Sequence, residues 1–309
     1  MESSSDPQQQ HKNPNWLELP RDLITTILLK LGAIEILTSA QNVCSLWREI
    51  CMDPLMWRAI DMHNLGDLLD IPYGLEIMCR HAIDRSCGQL VDINIEYFGT
   101  DELLKYITDS TSQLRRLQLR MCNNISDEGL IVAVRKLPLL EELEISYCSF
   151  STDPLGTVGH SCPLLKSLRL NNKGSLRAHL ECNEEALAIA ESMHGLRHLQ
   201  LFGNKLTNDG LLAILDGCPE LESLDLRQCF YVSLGGNLGR RCVEQIKDLK
   251  LPDDSTIGYE FDASIEDNGS FDEDYPSGFS DIDLWSNDYD YDFSGGSDLT
   301  DYEDPYWDY

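Results

Sequence analysis

The residues of this 309-residue chain that chemistry would draw on are seven histidines, eleven cysteines and 53 carboxylates. Nucleophilic catalysis needs a nucleophile, a base and an orienting acid held together. His160, His194 and His198 invite that reading, yet none stands beside a motif supplying the other two groups. The run Gly235-Gly236-Asn237-Leu238-Gly239 lacks the preceding strand and following lysine that a phosphate-cradling loop requires, and reads as a turn. No Cys-x-x-Cys occurs, so the thiols do not have zinc-ligand spacing. We therefore expect no catalytic residue, no metal and no cofactor. The residue types point toward binding.

What positions these residues is a repeat. The step apolar, two residues, apolar, one residue, apolar recurs at Leu90/Ile93/Ile95, Leu114/Leu117/Leu119, Leu140/Leu143/Ile145, Leu165/Leu168/Leu170, Leu196/Leu199/Leu201, Leu221/Leu224/Leu226 and Ile246/Leu249/Leu251. The starts lie 24, 26, 25, 31, 25 and 25 residues apart. Alternate side chains of a strand share one face, so the second and third members enter the same core. One unit cannot bury such a stripe, whereas stacked units share a continuous core. The expected class is α/β: an open arc of about seven or eight strand–helix units over residues 63–252. Between the triplets, Ser126 and Thr207 precede acidic residues and read as helix N-caps. Cys122, Cys148 and Cys229 fall eight residues after a start, where Asn204 is the equivalent, and Cys87, Cys162 and Cys218 fall three before. These are expected core corners, which suit a small, weakly polar thiol. The 31-residue unit carries an insertion, Asn171–Cys182.

Charge is distributed unevenly. The formal total is −29, but Pro252–Tyr309 alone holds 19 acidic residues and no Lys or Arg. The preceding 251 residues carry 34 acidic and 24 basic groups, an ordinary surface without the clustered cations of a nucleic-acid footprint. The longest apolar region, Leu23 to Leu37, is broken by Lys30 and Glu35 and is too short to span a bilayer. No nucleic acid and no membrane is expected as a partner. Polar residues 1–14, the odd cysteine count and the absence of a signal-peptide core suggest a reduced, intracellular protein. Residues 1–14 and 253–309 are expected to be disordered, with Pro252 as the order boundary.

Residues 15–62 form a separate helical module. Leu19, Leu23, Ile27 and Leu31 recur every fourth residue, and Leu37, Ala40, Cys44, Trp47 and Cys51 make a second helical stripe. Fewer than 50 residues make too small a core to be comfortable alone, so the module wants a partner. The run Leu19-Pro20-x-Asp22-Leu23-x-x-x-Ile27-Leu28-x-x-Leu31, then Val43-Cys44-x-x-Trp47-Arg48, then Asp53-Pro54-x-x-Trp57 resembles an F-box. Trp57/Ile60/Met62 repeats the triplet spacing, so the arc is expected to begin as this module ends. The units that follow are similar to the cysteine-containing class of leucine-rich repeats, and the combination resembles the short plant F-box/leucine-rich-repeat proteins.

That resemblance implies a substrate receptor of a Skp–cullin–F-box ubiquitin ligase in the nucleus and cytoplasm. Leu19, Pro20, Leu23, Ile27, Leu31, Val43 and Trp47 would dock a Skp-type adaptor, and through it a cullin, while the arc holds an unknown target protein. A scaffold of chromatin or transcription without ligase activity is the rival reading. Strand alternation turns Arg116, Arg120, Arg169, Phe202 and Arg227 away from the core, and arginines with an aromatic are common at interface hot spots. A merely solvated face gives the same polar row. The acidic tail, with 13 of the chain's 25 aromatics, reads as a solubilising extension, a bait for basic partners or an acidic–aromatic binding segment.

Overall fold

The computed structural model describes residues 19–63, 72–174 and 181–265. Residues 1–14, most of the acidic tail and positions 175–180 of the insertion lie outside them. The chain opens with α1 (Arg21–Leu28), α2 (Ala33–Thr38), a 3-10 turn Ala40–Asn42 and α3 (Ser45–Cys51). The stripe from Leu37 to Cys51 is thus not one helix. Thr38 and Asn42 turn their side chains back onto backbone carbonyls of the preceding turn, and Cys44 is fully extended (φ −162°). Such side-chain hydrogen bonds compete with helix propagation. Gly32, at φ 82°, supplies the sharp entry into α2 that an L side chain would resist.

Eight parallel strands then follow in strict sequence order: β1 (Ala59–Asp61), β2 (Asp92–Glu96), β3 (Arg116–Arg120), β4 (Glu142–Ser146), β5 (Ser167–Asn171), β6 (His198–Gln200), β7 (Ser223–Asp225) and β8 (Asp248–Lys250). Between them run α4 (Pro72–Arg85), α5 (Asp101–Ser110), α6 (Asp127–Val134), α7 (Asp153–Ser161), α8 (Glu184–Ser192), α9 (Asn208–Gly217) and α10 (Gly236–Gln245). The second triplet members align across the sheet: Ile60, Ile93, Leu117, Leu143, Leu168, Leu199, Leu224 and Leu249 are successive partners. From Ile60 to Leu224 this row is buried; Leu249 is half-buried and Leu251 is 41% exposed, because among the described residues no ninth unit covers them. Because β1 lies in the sheet, the helical module and the arc share residues 57–62.

Two backbone devices repeat from unit to unit. The carbonyl one residue past each start accepts two N–H groups from the next unit: Val91 from Arg115 and Arg116, Arg115 from Glu141 and Glu142, Glu141 from Lys166 and Ser167. Seven residues past the start, the chain turns left-handed at Tyr97, Met121, Tyr147, Gly203 and Gln228. Each of those N–H groups donates to the next unit's strand end, and Gln228 donates to the Pro252 carbonyl at 2.9 Å.

The cysteines follow the same logic. Cys122, Cys148 and Cys229 donate Sγ–H to Ile95, Leu119 and Leu201 carbonyls one unit back, at 3.5, 3.4 and 2.9 Å. Cys162 and Cys218 do so at the other corner. Cys87 is an exception to the expected core corners: it is exposed, in a left-handed turn at φ 48°. Ser126 caps α6 by accepting from the Gly129 N–H at 3.0 Å, and Thr207 caps α9 by accepting from Asp209.

The stacking row sets the stability. Leu117→Ala should destabilise the chain by about 2–5 kcal/mol, since its buried cavity cannot be filled from either neighbour. Leu251→Ala, at the open end, should stay within about 0.5 kcal/mol. Urea midpoints of the two variants check the contrast.

Candidate functional site

Two surfaces stand out. Among the described residues no group of three or more His, Cys, Asp or Glu is placed to hold a metal. His160 and His194 spend Nδ1 on the backbone carbonyls of Gly156 and Gly217. Burial pushes the Cys162 and Cys218 thiols up to about 11, far from the thiolate a nucleophile needs. Among the described residues no single helix is long and apolar enough to cross a membrane.

The first surface belongs to the N-terminal module. α1 turns Ile24 and Leu28 into the core and leaves Leu23 52% exposed. Leu31 and Val43 are exposed at 41% and 61%, Pro20 is exposed, and Leu19, Ile27 and Trp47 are half-buried. All seven positions expected to dock an adaptor therefore retain accessible surface. The opposite side of the module is closed. Trp57 is buried and its Nε1–H donates to the Cys51 carbonyl at 2.8 Å. The Arg85 guanidinium of α4 sits 5.4 Å from the Trp57 ring centre and donates to Gln41. Docking on the arc settles one face of the helices; the other face remains open.

The second surface is the sheet face opposite the helices. At its N-terminal end the Arg116 guanidinium bridges Asp92 and Glu142 at 2.7–2.8 Å, and these partners hold its charge firmly. Hydrogen bonds from Arg116 hold the Glu142 carboxyl below the usual carboxylate range. Arg169 reaches Glu144 at 3.2 Å and remains 44% exposed. Arg116, Gln118 and Arg169 line a shallow polar concavity of about 280 Å³.

Arg120, Phe202 and Arg227, expected to stand free on this face, do not. Arg120 and Arg227 are only 5% and 7% exposed, and Phe202 is completely buried. What covers them is the chain itself. Past Pro252, where order was expected to end, the backbone turns back over the sheet as a strap described to residue 265. The Tyr259 ring lies flat on Phe202, with centroids 3.7 Å apart and planes 5° from parallel. Phe261 packs edge-on against Tyr259 and Tyr147, at 5.7 and 5.2 Å. Glu260 takes a bidentate pair from Arg120, at 2.8 and 3.1 Å, while Arg120 also grips Glu144 from the other side. The same guanidinium lies 5.2 Å from the Phe261 ring centre. Arg227 lies within 5.6 Å of both the Phe202 and Tyr259 ring centres and is held by Asp225. Burial alone would raise the Asp225 pKa, but the hydrogen bonds from Arg227 outweigh it and hold the group charged.

The strap's backbone is read as well. Arg227 donates to the Ser255 carbonyl, Tyr147 Oη–H to Asp262 and Gln228 Nε2–H to Ala263, at 3.3, 3.4 and 2.6 Å. Sequence reasoning placed Arg120, Phe202 and Arg227 on this face but missed Tyr147 and Gln228. Both occupy the left-handed corner position that Gly203 marks in the unit starting at Leu196.

A helical module with an open apolar stripe, followed by a single-direction parallel sheet backed by helices, defines a repeat-built binding protein. Family models match both parts. The family model described as F-box-like matches residues 16–63, and that described as Leucine Rich repeat matches 113–132 and 193–215. The chain is 54% identical over 310 residues to the F-box protein SKIP19 of Arabidopsis thaliana, covering 98% of this chain and 99% of that one. It is 46% identical over 293 residues to the putative F-box/LRR-repeat protein 22 of the same plant, covering 94% of each. Among solved structures, the yeast Rad7–Elc1 complex shares 22% identity at a TM-score of 0.43, over 55% of this chain and 44% of that one. The chain belongs to the plant F-box/leucine-rich-repeat proteins.

The strap contributes to stability. Tyr259→Ala, which removes a half-buried ring from a stacked pair, should cost about 1–2 kcal/mol. Glu260→Ala should cost less than about 1 kcal/mol, because that side chain is 56% exposed. Urea denaturation of the full chain checks both values.

Proposed function

We propose that the chain is the substrate-recognition subunit of a Skp–cullin–F-box ubiquitin ligase. Membership of the F-box family supports an adaptor role, and the single observation that carries it further is the exposed stripe of Leu23, Leu31 and Val43. These apolar groups lie on a module whose other face is already occupied, so they are available to a partner and costly to leave in water. In this reading Leu19, Pro20, Leu23, Ile27, Leu31, Val43 and Trp47 dock a Skp-type adaptor, which links the chain to a cullin. The concave face holds the target protein. The chain itself makes no bond; it raises the concentration of target lysines near the activated ubiquitin. A scaffold without ligase activity would use the concave face equally well, but would have no use for the stripe.

Leu23→Asp combined with Val43→Asp tests this without disturbing the core, since both side chains are more than half exposed. The tagged double variant should keep the wild-type thermal midpoint while losing at least about tenfold in co-purified adaptor and cullin, equivalent to about 1.4 kcal/mol of binding. Wild-type recovery of cullin by the double variant would remove the ligase reading and leave the scaffold.

A further inference from the structure

The strap is a non-helical segment that turns at Ile257–Gly258 and bends at Glu260–Phe261, and from Tyr259 to Ala263 alternate residues do the work. Tyr259, Phe261 and Ala263 are half-buried against the sheet, while Glu260 and Asp262 are exposed. Glu260 nevertheless folds sideways onto Arg120, and Asp262 is held in its charged form by hydrogen bonds from Ser264 with Lys173 nearby. A plug that merely sealed the arc would need apolar partners. The groups beneath this one are instead two guanidiniums, a phenol, an amide and one buried ring. Arg120 and Arg227 are each fixed from behind by a carboxylate, Glu144 and Asp225. They are pre-organised to meet a second anion and aromatic faces. Three of these side chains also donate to the strap's backbone carbonyls, groups that a peptide of any sequence carries.

We propose that this pocket of Arg120, Tyr147, Phe202, Arg227 and Gln228 is a receptor for acidic–aromatic segments of target proteins, with aromatic–acidic–aromatic–acidic order, and that Tyr259–Ala263 is a resident mimic which such a target displaces. The inference rests on the substrate-receptor reading and supplies its substrate class. The sequence beyond the described residues repeats the same chemistry: Asp288-Tyr289-Asp290-Tyr291-Asp292-Phe293 and Tyr302-Glu303-Asp304-Pro305-Tyr306. No Lys or Arg follows Lys250, so these segments have no basic partner of their own in the tail.

The mimic sets a threshold. Tyr259 lies seven residues beyond Pro252, whose carbonyl is fixed by Gln228. A tether that short gives an effective concentration of about 1 mM, so a strap with an intrinsic Kd of about 50 µM makes any free segment bind about twentyfold more weakly than to the open pocket. Targets carrying one such segment would be held poorly; those with a tighter or multiple match would open the face.

The test uses the full chain and a fluorescent synthetic peptide of residues 255–265, read by anisotropy. Tyr259→Ala with Phe261→Ala empties the pocket and should bind the peptide at least about tenfold more tightly than wild type. Glu260→Lys, at an exposed position beside Arg120, loosens the strap without removing apolar surface and should move affinity the same way by a smaller factor. Circular dichroism verifies that both remain folded. Adding Arg120→Glu to the emptied chain should abolish the gain, as should a peptide with lysine at the Glu260 and Asp262 positions. Equal peptide affinity of wild type and of both folded variants, or equal binding of the lysine peptide, would overturn the proposal. No adaptor, cullin or ubiquitin enters the assay, so its failure leaves adaptor docking intact, and failure of adaptor docking leaves this result standing.

Discussion

Everything in this molecule follows from one constraint: a strand–helix unit of about 25 residues cannot bury its own apolar stripe. Only the next unit, in parallel and in register, can cover it. The row from Ile60 to Leu249 is the result, and it obliges every polar alternate residue to share the opposite face. The hydrogen bonds that join units at each strand's entrance and exit tighten the same spacing. At the last unit the requirement goes unmet, which leaves Leu251 and Val243 exposed. Pro252 occupies the strand-exit position there, where its missing N–H is not needed, and the chain leaves from that point to cross the open face.

The F-box end obeys the complementary rule. Its helices are too short to stand alone, and they borrow β1 and the Trp57–Arg85 contact from the arc to complete one side. Completing one side is what leaves the other available. An apolar stripe and a charged, aromatic pocket are chemically unlike, so the two faces can bind different partners without competing for the same one.

Much of this was legible in the sequence because it is local and periodic. The triplets fix strand positions, and Ser126 and Thr207 announce the helices they cap. The F-box spacing marks Leu23, Leu31 and Val43 as positions of one motif, and burial then distinguishes them from Ile24 and Leu28. What was not legible is long-range and aperiodic. Tyr259 meets Phe202 across 57 residues, and Glu260 meets Arg120 across 140. The alternation of Tyr259, Phe261 and Ala263 is only three residues deep, and it sits inside a tail whose average composition reads as solvated. Strand alternation correctly turned Phe202 away from the leucine core, yet it carries no information about what returns to cover it. The broken stripe at Cys44 was missed for a different reason: Leu37 to Cys51 satisfies helical spacing, while the backbone leaves the helix at Ser39 (φ −124°) and again at Cys44 (φ −162°).

The central claim is that the open stripe of the F-box module is a docking face for a Skp-type adaptor. Size-exclusion chromatography with light scattering on the purified full chain and a purified Skp-type adaptor measures this most directly. The account predicts a single peak with the mass of a one-to-one complex. Two peaks, each with the mass of a free component at micromolar concentration, would contradict it.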